Sequence, residues 1–328
     1  MSKHPRQILS LSALCLVLLS LLCGCAAPAP VEETYKEAIV VGFSQVGAES
    51  DWRNANTLSM QQAFSADNGY RLIFDDAQQK QEKQITAIRN FIHQGVDYIV
   101  LAPTTEKGWD TVLAEAKAVG IPVIIVDRMI EVENDSLFTC WIGSDFLGEG
   151  RNAVRWMDSH LEGKPLRIVH LQGNIGSSAQ IGRTAGLNEG LSTHPEWELV
   201  YRASGDFTQA KGQELVEAVL ARGLDFNVIF SENDNMAYGA IDALKNAGLT
   251  PGKDVTIISF DASRHALELV MSGEISYDVE CNPLHGPRVE SIIQRLESGL
   301  ESPKLTYVEE SAFDAGSITP GLLESRGY

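Results

Sequence analysis

Short apolar runs that end abruptly in polar residues recur along this chain. Ile121–Val126 stops at Asp127-Arg128, Val228–Phe230 leads into Asn233-Asp234, and Val255–Phe260 stops at Asp261. β-Branched runs of this length, bounded by Gly and Pro, fit strands buried on both faces of a parallel sheet. Helical periodicity alternates with them. The pattern predicts strand Ala38–Phe43, helix Asn54–Asn68, strand Arg71–Phe74, a helix from Gln79 to His93, strand Tyr98–Leu101, helix Trp109–Val119 and strand Ile121–Val126. Gly69, Gly95 and Gly120 follow the helical stretches as left-handed stops. After Asp145 the rhythm restarts with strand Arg167–Leu171, helix Ile181–Leu191, strand Leu199–Arg202, helix Lys211–Arg222, strand Val228–Phe230, helix Met236–Asn246 and strand Val255–Phe260. Repeated βαβ units imply a doubly wound parallel sheet in each half.

Gly95-Val96-Asp97-Tyr98-Ile99-Val100 and Gly223-Leu224-Asp225-Phe226-Asn227-Val228 hold matching places, as do the strands ending at Asp127 and Asp261. The α/β chain therefore divides into two similar lobes. Ligands of such sheets bind beyond the carboxyl ends of the strands, in a cleft between lobes. No metal-ligand spacing and no nucleophile–base set accompanies those strand ends, which points to capture of a small polar molecule without chemistry.

The amino terminus changes the address. Lys3 and Arg6 precede an apolar stretch from Ile8 to Leu22, the layout of a secretory signal. Leu22-Cys23-Gly24-Cys25 resembles the bacterial lipobox, with Cys25 as the lipidated first residue of the mature chain; Cys23 is an unusual occupant of its position. Ala26–Glu37 reads as a tether. The formal charge is −18, and losing Lys3 and Arg6 with the signal makes it −20. That balance disfavours nucleic acid and anionic membrane surfaces. Cys140 and Cys281 remain in the body. They read either as buried thiols or as a disulfide across the crossovers between lobes, in a compartment that permits one.

Further motifs fix a resemblance. Gly42-Phe43-Ser44-Gln45-Val46-Gly47 with Glu49-Ser50 and Trp52-Arg53, Asp75-Asp76-Ala77-Gln78-Gln79-Lys80, Val126-Asp127-Arg128, Ser204-Gly205-Asp206-Phe207, Glu232-Asn233-Asp234-Asn235-Met236-Ala237 and the terminal Gly327-Tyr328 together resemble the ribose/galactose-type sugar-binding proteins of ABC importers, in particular galactofuranose binders. The resemblance covers nearly all of 38–328. It implies the type I periplasmic binding protein fold: two similar doubly wound lobes with parallel sheets, joined by a three-segment hinge. The expected lobes are 38–143 with 282–310, and 144–281 with 311–328, after a signal at 1–24 and a tether at 25–37.

The resemblance also implies a sugar site. Asp127, Asp261 and Glu280 would accept hydroxyl hydrogens, Arg128 and Arg183 would present donor forks, and Asn233 would do both. Trp52 and Phe207 would cover the apolar faces of the ring. Ser44, Gln45, Glu49 and Arg53 would come from the first-strand loop. From the residues alone two other readings stay open: Asp127-Arg128 as a structural ion pair, and Asn233-Asp234 as a helix cap, with the duties split as Asp234 capping and Asn233 binding. Where relatives carry Asp-Gly, this chain has Asp261-Ala262, which makes positive φ costlier there. Asp127→Ala is expected to abolish binding and leave the fold intact.

The implied function is an exported, lipid-anchored binding protein, at the outer face of the cytoplasmic membrane or in the periplasm. It takes a monosaccharide, galactofuranose-like or a related pentose or hexose, to an ABC permease and its ATPase, with no cofactor or metal and as a monomer. Alternatives are delivery to a membrane sensor, or an exported carbohydrate-active enzyme using these carboxylates. Gly148-Glu149-Gly150-Arg151-Asn152-Ala153 matches a dinucleotide fingerprint but falls inside a helix begun near Asp145. Gly173-Asn174-Ile175-Gly176-Ser177-Ser178 reads as a cleft rim.

Overall fold

The computed structural model describes residues 38–328; the expected signal, Cys25 and tether lie outside the described residues. Strands β1 (Ile39–Gln45), β2 (Tyr70–Asp76), β3 (Tyr98–Leu101), β4 (Val123–Val126), β5 (Cys140–Gly143) and β11 (Leu305–Tyr307) form one six-stranded parallel sheet in the order β11-β5-β4-β3-β1-β2. Strands β6 (Leu166–Gln172), β7 (Trp197–Ser204), β8 (Val228–Ser231), β9 (Thr256–Asp261), β10 (Tyr277–Glu280) and β12 (Ala312–Phe313) form the other, in the order β12-β10-β9-β8-β6-β7. In the second sheet β12 runs antiparallel to β10. The chain passes between sheets three times: after β5, after β10 and after β11.

The central strands bury both faces, as their unbroken apolar runs require, while the edge strands β2, β7 and β11 are partly exposed. In the first sheet Phe43, Val100, Ile124 and Ile142 pack under Met60, Phe64 and Val289, while Ile99, Leu101, Ile125 and Trp141 pack on the other side against Ile88, Phe91 and Leu113. The second sheet alternates likewise, with Ile168, Phe230 and Ile258 on one face and Val169, Ile229 and Ile257 on the other. Among the described residues no helix is long and apolar enough to cross a membrane.

Helix starts follow side-chain caps. Ser50, Asp145, Ser177, Thr208, Asn233 and Ser263 each accept a backbone N–H in the first turn of α1 (Asp51–Ala63), α4 (Phe146–His160), α5 (Ser178–Thr193), α6 (Gln209–Ala221), α7 (Asp234–Asn246) and α8 (Arg264–Ser272). The helices α2 (Gln81–Gln94) and α3 (Asp110–Ala118) lie between; α9 (Gly286–Glu297) and α10 (Pro320–Ser325) complete the set. Gly69, Gly95 and Gly120 adopt φ of 82°, 63° and 79°, the expected stops. Helix α1 nevertheless ends at Ala63, before the predicted Asn68, because Asn68 Nδ2 bonds the carbonyls of Gln62 and Ala63 and replaces the helical partners. Strand β4 starts at Val123, since Pro122 has no N–H to give the ladder.

Asp145 caps α4, so the helix begins where expected, and Gly150 of the fingerprint-like run serves packing. A Cβ on Gly150 would lie 2.8 Å from the Arg183 carbonyl oxygen, so this glycine lets α4 and α5 touch at Arg183.

Candidate ligand site

The polar residues at the strand ends converge. Asp127 directly follows β4, and its N–H bonds the Ile142 carbonyl at 2.9 Å while its own carbonyl accepts Trp141 Nε1 at 3.1 Å. Both bonds hold it at φ 62°. Phe207, Asp261 and Ala262 also have positive φ, at 62°, 116° and 52°. Left-handed conformation costs an L-residue roughly 1–2 kcal/mol, and such residues gather where a scaffold aims side chains. Ala262 keeps the backbone shape that glycine would adopt more cheaply.

These residues surround one cavity in the cleft between the lobes, where ligand sites of such folds lie. Glu49, Ser50, Trp52, Arg53, Asp127 and Arg128 line it from the first lobe; Phe146, Ala179, Arg183, Phe207, Asn233 and Asp261 from the second; Cys281 from the crossover after β10. The lobes touch around it. Asp51 N bonds Asn235 Oδ1 at 3.0 Å, Met129 N bonds Ser178 Oγ at 2.9 Å, Asn174 Nδ2 bonds Gln79 Oε1 at 2.8 Å and Glu106 N bonds the Gly176 carbonyl at 3.0 Å. The 173–178 loop is thus the rim that the sequence suggests.

Carboxylates and guanidinium groups interlock inside. Arg53 lies 3.2 Å from Glu49 Oε1 and 2.9 Å from Asp127 Oδ2. Arg128 stands 3.9 Å from both acids. Across the cleft Arg183 binds Glu149 at 2.7 Å, lies 3.6 Å from Asp261 and donates to the Glu232 carbonyl. Burial opposes the charge on Arg53, but Asp127 and Glu49 more than offset it and raise its pKa. For Arg128 burial and the neighbouring Arg53 win, and the pKa falls to about 10. Burial pushes Asp261 well above the carboxylate range; Asp234, Glu149 and Asp127 add to this and Arg183 opposes it. One buried oxygen in the first-lobe wall, Glu49 Oε2, has no hydrogen-bond donor among the described residues, while Asp127 Oδ2 faces the Arg53 guanidinium.

Nine of the twelve expected contact residues line the cavity: Glu49, Trp52, Arg53, Asp127, Arg128, Arg183, Phe207, Asn233 and Asp261. Three do not. Gln45 sits behind it, its Oε1 accepting Arg53 Nη1 at 3.1 Å and its Nε2 donating to Asn56 Oδ1 at 2.8 Å; it aims Arg53. Ser44 is fully buried one position deeper in β1. Glu280 is corrected most clearly: it faces the carboxyl terminus, taking Arg326 Nη1, Tyr328 Oη at 2.9 Å and Asn282 Nδ2 at 3.2 Å. Strand alternation explains this, because Glu280 and Cys281 point opposite ways and Cys281 faces the cavity.

The capping duty expected of Asp234 falls to Asn233, which also lines the cavity. Asn233 Oδ1 caps α7 through Met236 N at 3.0 Å while its Nδ2 donates to the Phe207 carbonyl at 3.1 Å. Asp234 instead accepts Ser259 Oγ, Ser263 N and Ser263 Oγ at 2.7, 2.9 and 2.8 Å. The aromatic walls are partly engaged: Arg53 covers the Trp52 ring at 4.5 Å and Arg128 the Phe207 ring at 5.2 Å. Trp52 Nε1 donates to the Cys281 carbonyl at 2.6 Å. Gly173 makes room for Phe207, since a Cβ there would lie 1.9 Å from its ring. Cys140 and Cys281 are free thiols. Cys281 Sγ is 3.4 Å from Ser144 Oγ, whereas Cys140 opens β5 roughly 13 Å back along the strand.

Ser50, Phe146, Ala179 and Cys281 also line the cavity, beyond the expected contacts. Ser50 and Ala179 flank helix starts, where the capping pattern is readable in the sequence. Phe146 carries no signal there beyond that of an ordinary core residue.

A family profile described as "periplasmic binding protein domain" matches residues 41–285. The galactofuranose-binding protein YtfQ of Escherichia coli K12 is 38% identical over 279 residues, 84% of this chain and 87% of that one. A Mycobacterium smegmatis protein solved in complex with β-D-fucofuranose is 40% identical with a TM-score of 0.82, covering 85% of this chain and 92% of that chain. The periplasmic binding component of the arabinose ABC transporter of Shewanella sp. ANA-3, bound to α- and β-L-arabinofuranose, is 41% identical with a TM-score of 0.82, covering 88% and 95%.

Proposed function

The chain belongs to the periplasmic binding protein domain family, and from that premise we propose that it captures one uncharged furanose-form monosaccharide between its lobes for an ABC importer. One observation carries the reading. Carboxylate oxygens, guanidinium donors and aromatic faces from both lobes border a single cavity in the cleft. A sugar needs acceptors, donors and apolar cover around one small ring, and the two lobes present such sets facing each other.

Charge argues for an uncharged ligand. Each guanidinium at the cavity already answers to carboxylates of this chain, so a sugar acid or sugar phosphate would meet no free cation and several acids. The relatives that hold fucofuranose and arabinofuranose support the ring form. Ligand contacts that need both lobes favour the closed state, which the permease would then read. The permease and its ATPase supply the energy-coupled step. Cys25 would carry a lipid that holds a monomer at the outer face of the cytoplasmic membrane; incorporation of labelled palmitate, lost in Cys25→Ala, tests this.

Calorimetric titration with arabinose, galactose, fucose, ribose and galacturonate tests the main reading, with carbon NMR of the bound sugar labelled at C1 to read its ring form. Binding of one neutral sugar per chain with a furanose C1 signal is expected. A bound pyranose, a preference for galacturonate, or turnover of the sugar would contradict it.

A further inference from the structure

The three passages between lobes bring together potential metal ligands beside the sugar site. Glu149 in the first turn of α4, Cys281 after β10 and Glu310 after β11 each place a potential ligand atom within 4.8 Å of the other two. Each comes from a different passage. Glu149 is 5% exposed, and while its Oε2 binds Arg183, its Oε1 has no partner. Cys281 is 2% exposed. Ser144, from the first passage, donates to Glu310 Oε1 at 2.7 Å and lies 3.4 Å from Cys281 Sγ. Asn282 N also donates to Glu310 Oε1, at 2.6 Å.

We propose that Glu149, Cys281 and Glu310 form a site for a borderline-soft divalent cation of the zinc class, with the Ser144 hydroxyl positioned beside it. Donor chemistry selects the class. One thiolate with two carboxylates suits zinc-like ions, with metal–sulfur distances near 2.3 Å and metal–oxygen near 2.0–2.2 Å. A triangle of donors no wider than 4.8 Å needs only a small contraction to reach such distances. Calcium wants about six to eight oxygens, which this cluster does not offer. The nearby cation Arg183 does not fill the site, because its fork is spread over Glu149, Asp261 and the Glu232 carbonyl. On loading, the Cys281 thiol proton leaves to solvent. A bound ion would tie the three passages to one point and so restrain rotation between the lobes.

Titration of chelator-stripped protein with Cd²⁺, followed through the ultraviolet thiolate-to-cadmium charge-transfer band, tests the site. The band should saturate at one ion per chain, persist in Cys140→Ala and vanish in Cys281→Ala. In Glu310→Gln the affinity should fall at least about tenfold, and Zn²⁺ should displace Cd²⁺ from the unaltered protein. No band in the unaltered protein, a band that survives Cys281→Ala, or unchanged affinity in Glu310→Gln overturns the proposal. Far-ultraviolet circular dichroism checks the fold of each variant. If Cys281→Ala does not fold, Glu310→Gln, which lies outside the sugar cavity, decides by the same titration.

Discussion

Asp127 has two duties, and its variants separate them. It accepts from the ligand in our reading, and it is also the partner of Arg53 at 2.9 Å. Removing one member of a buried pair typically costs about 3–5 kcal/mol. Asp127→Ala is therefore expected to weaken the fold as well as the binding, contrary to what the strand-end position alone suggests. Asp127→Asn keeps the volume and one acceptor oxygen; its affinity should drop at least about tenfold, the gap between charged and neutral acceptors. Chemical denaturation beside calorimetry tells the two losses apart. His285 makes a pH prediction. Burial, against the pull of Asp127 and with Arg288 and Arg53 opposing its charge, lowers its pKa from 6.5 to about 4. Neither ring nitrogen has a hydrogen-bond partner, and its ring lies 6.1 Å from that of Trp52. The unfolded chain thus binds the proton first, so stability falls as pH drops from 6.5 toward 4, by on the order of 3 kcal/mol. Denaturation of His285→Gln across that window should show a flatter slope; an equal slope would discount His285.

At the scale of elements, strand ends set the site and the backbone turns just beyond them aim it. The turn at Asp261-Ala262 gives a sharp test. Ala262→Gly relieves roughly 1–2 kcal/mol of left-handed strain. It loses a buried methyl worth about 0.8 kcal/mol and adds about 0.4–1 kcal/mol of unfolded-state freedom. The sum is near zero. Ala240→Gly, equally buried but inside α7, should cost about 2 kcal/mol from helix propensity and the same methyl. Equal losses at both positions would mean that the turn holds no strain. Apolar runs such as Val123–Val126 and the glycine stops make most strands and helices legible in the sequence. The partners of Glu280 are not, because Arg326 and Tyr328 lie 46 and 48 residues away. Beyond Phe260 the pattern predicts no strand, and there β10, β11 and β12 are only four, three and two residues long. Such strands carry too little periodicity to be seen.

Across the whole molecule, closure couples distant loops. Asn174 and Gln79 are 95 residues apart, and their bond forms only across the cleft. Asn174→Ala should weaken sugar affinity by roughly threefold to tenfold, the worth of one hydrogen bond present only in the closed state, while leaving thermal stability without sugar nearly unchanged. Unaltered affinity would place that bond outside the closing equilibrium. The two-lobed plan is legible because the sequence repeats its strand–helix rhythm and its strand-end acids. The cluster of Glu149, Cys281 and Glu310 is not, since three separate passages of the chain assemble it and no local spacing announces it. The most direct measurement of the central claim is a crystal structure of the protein with arabinose or galactose. It should show a furanose ring between the lobes, bonded to Asp127 or Arg128 from one side and to Arg183 or Asp261 from the other. A sugar held by one lobe alone, or seated away from these strand ends, would contradict the account.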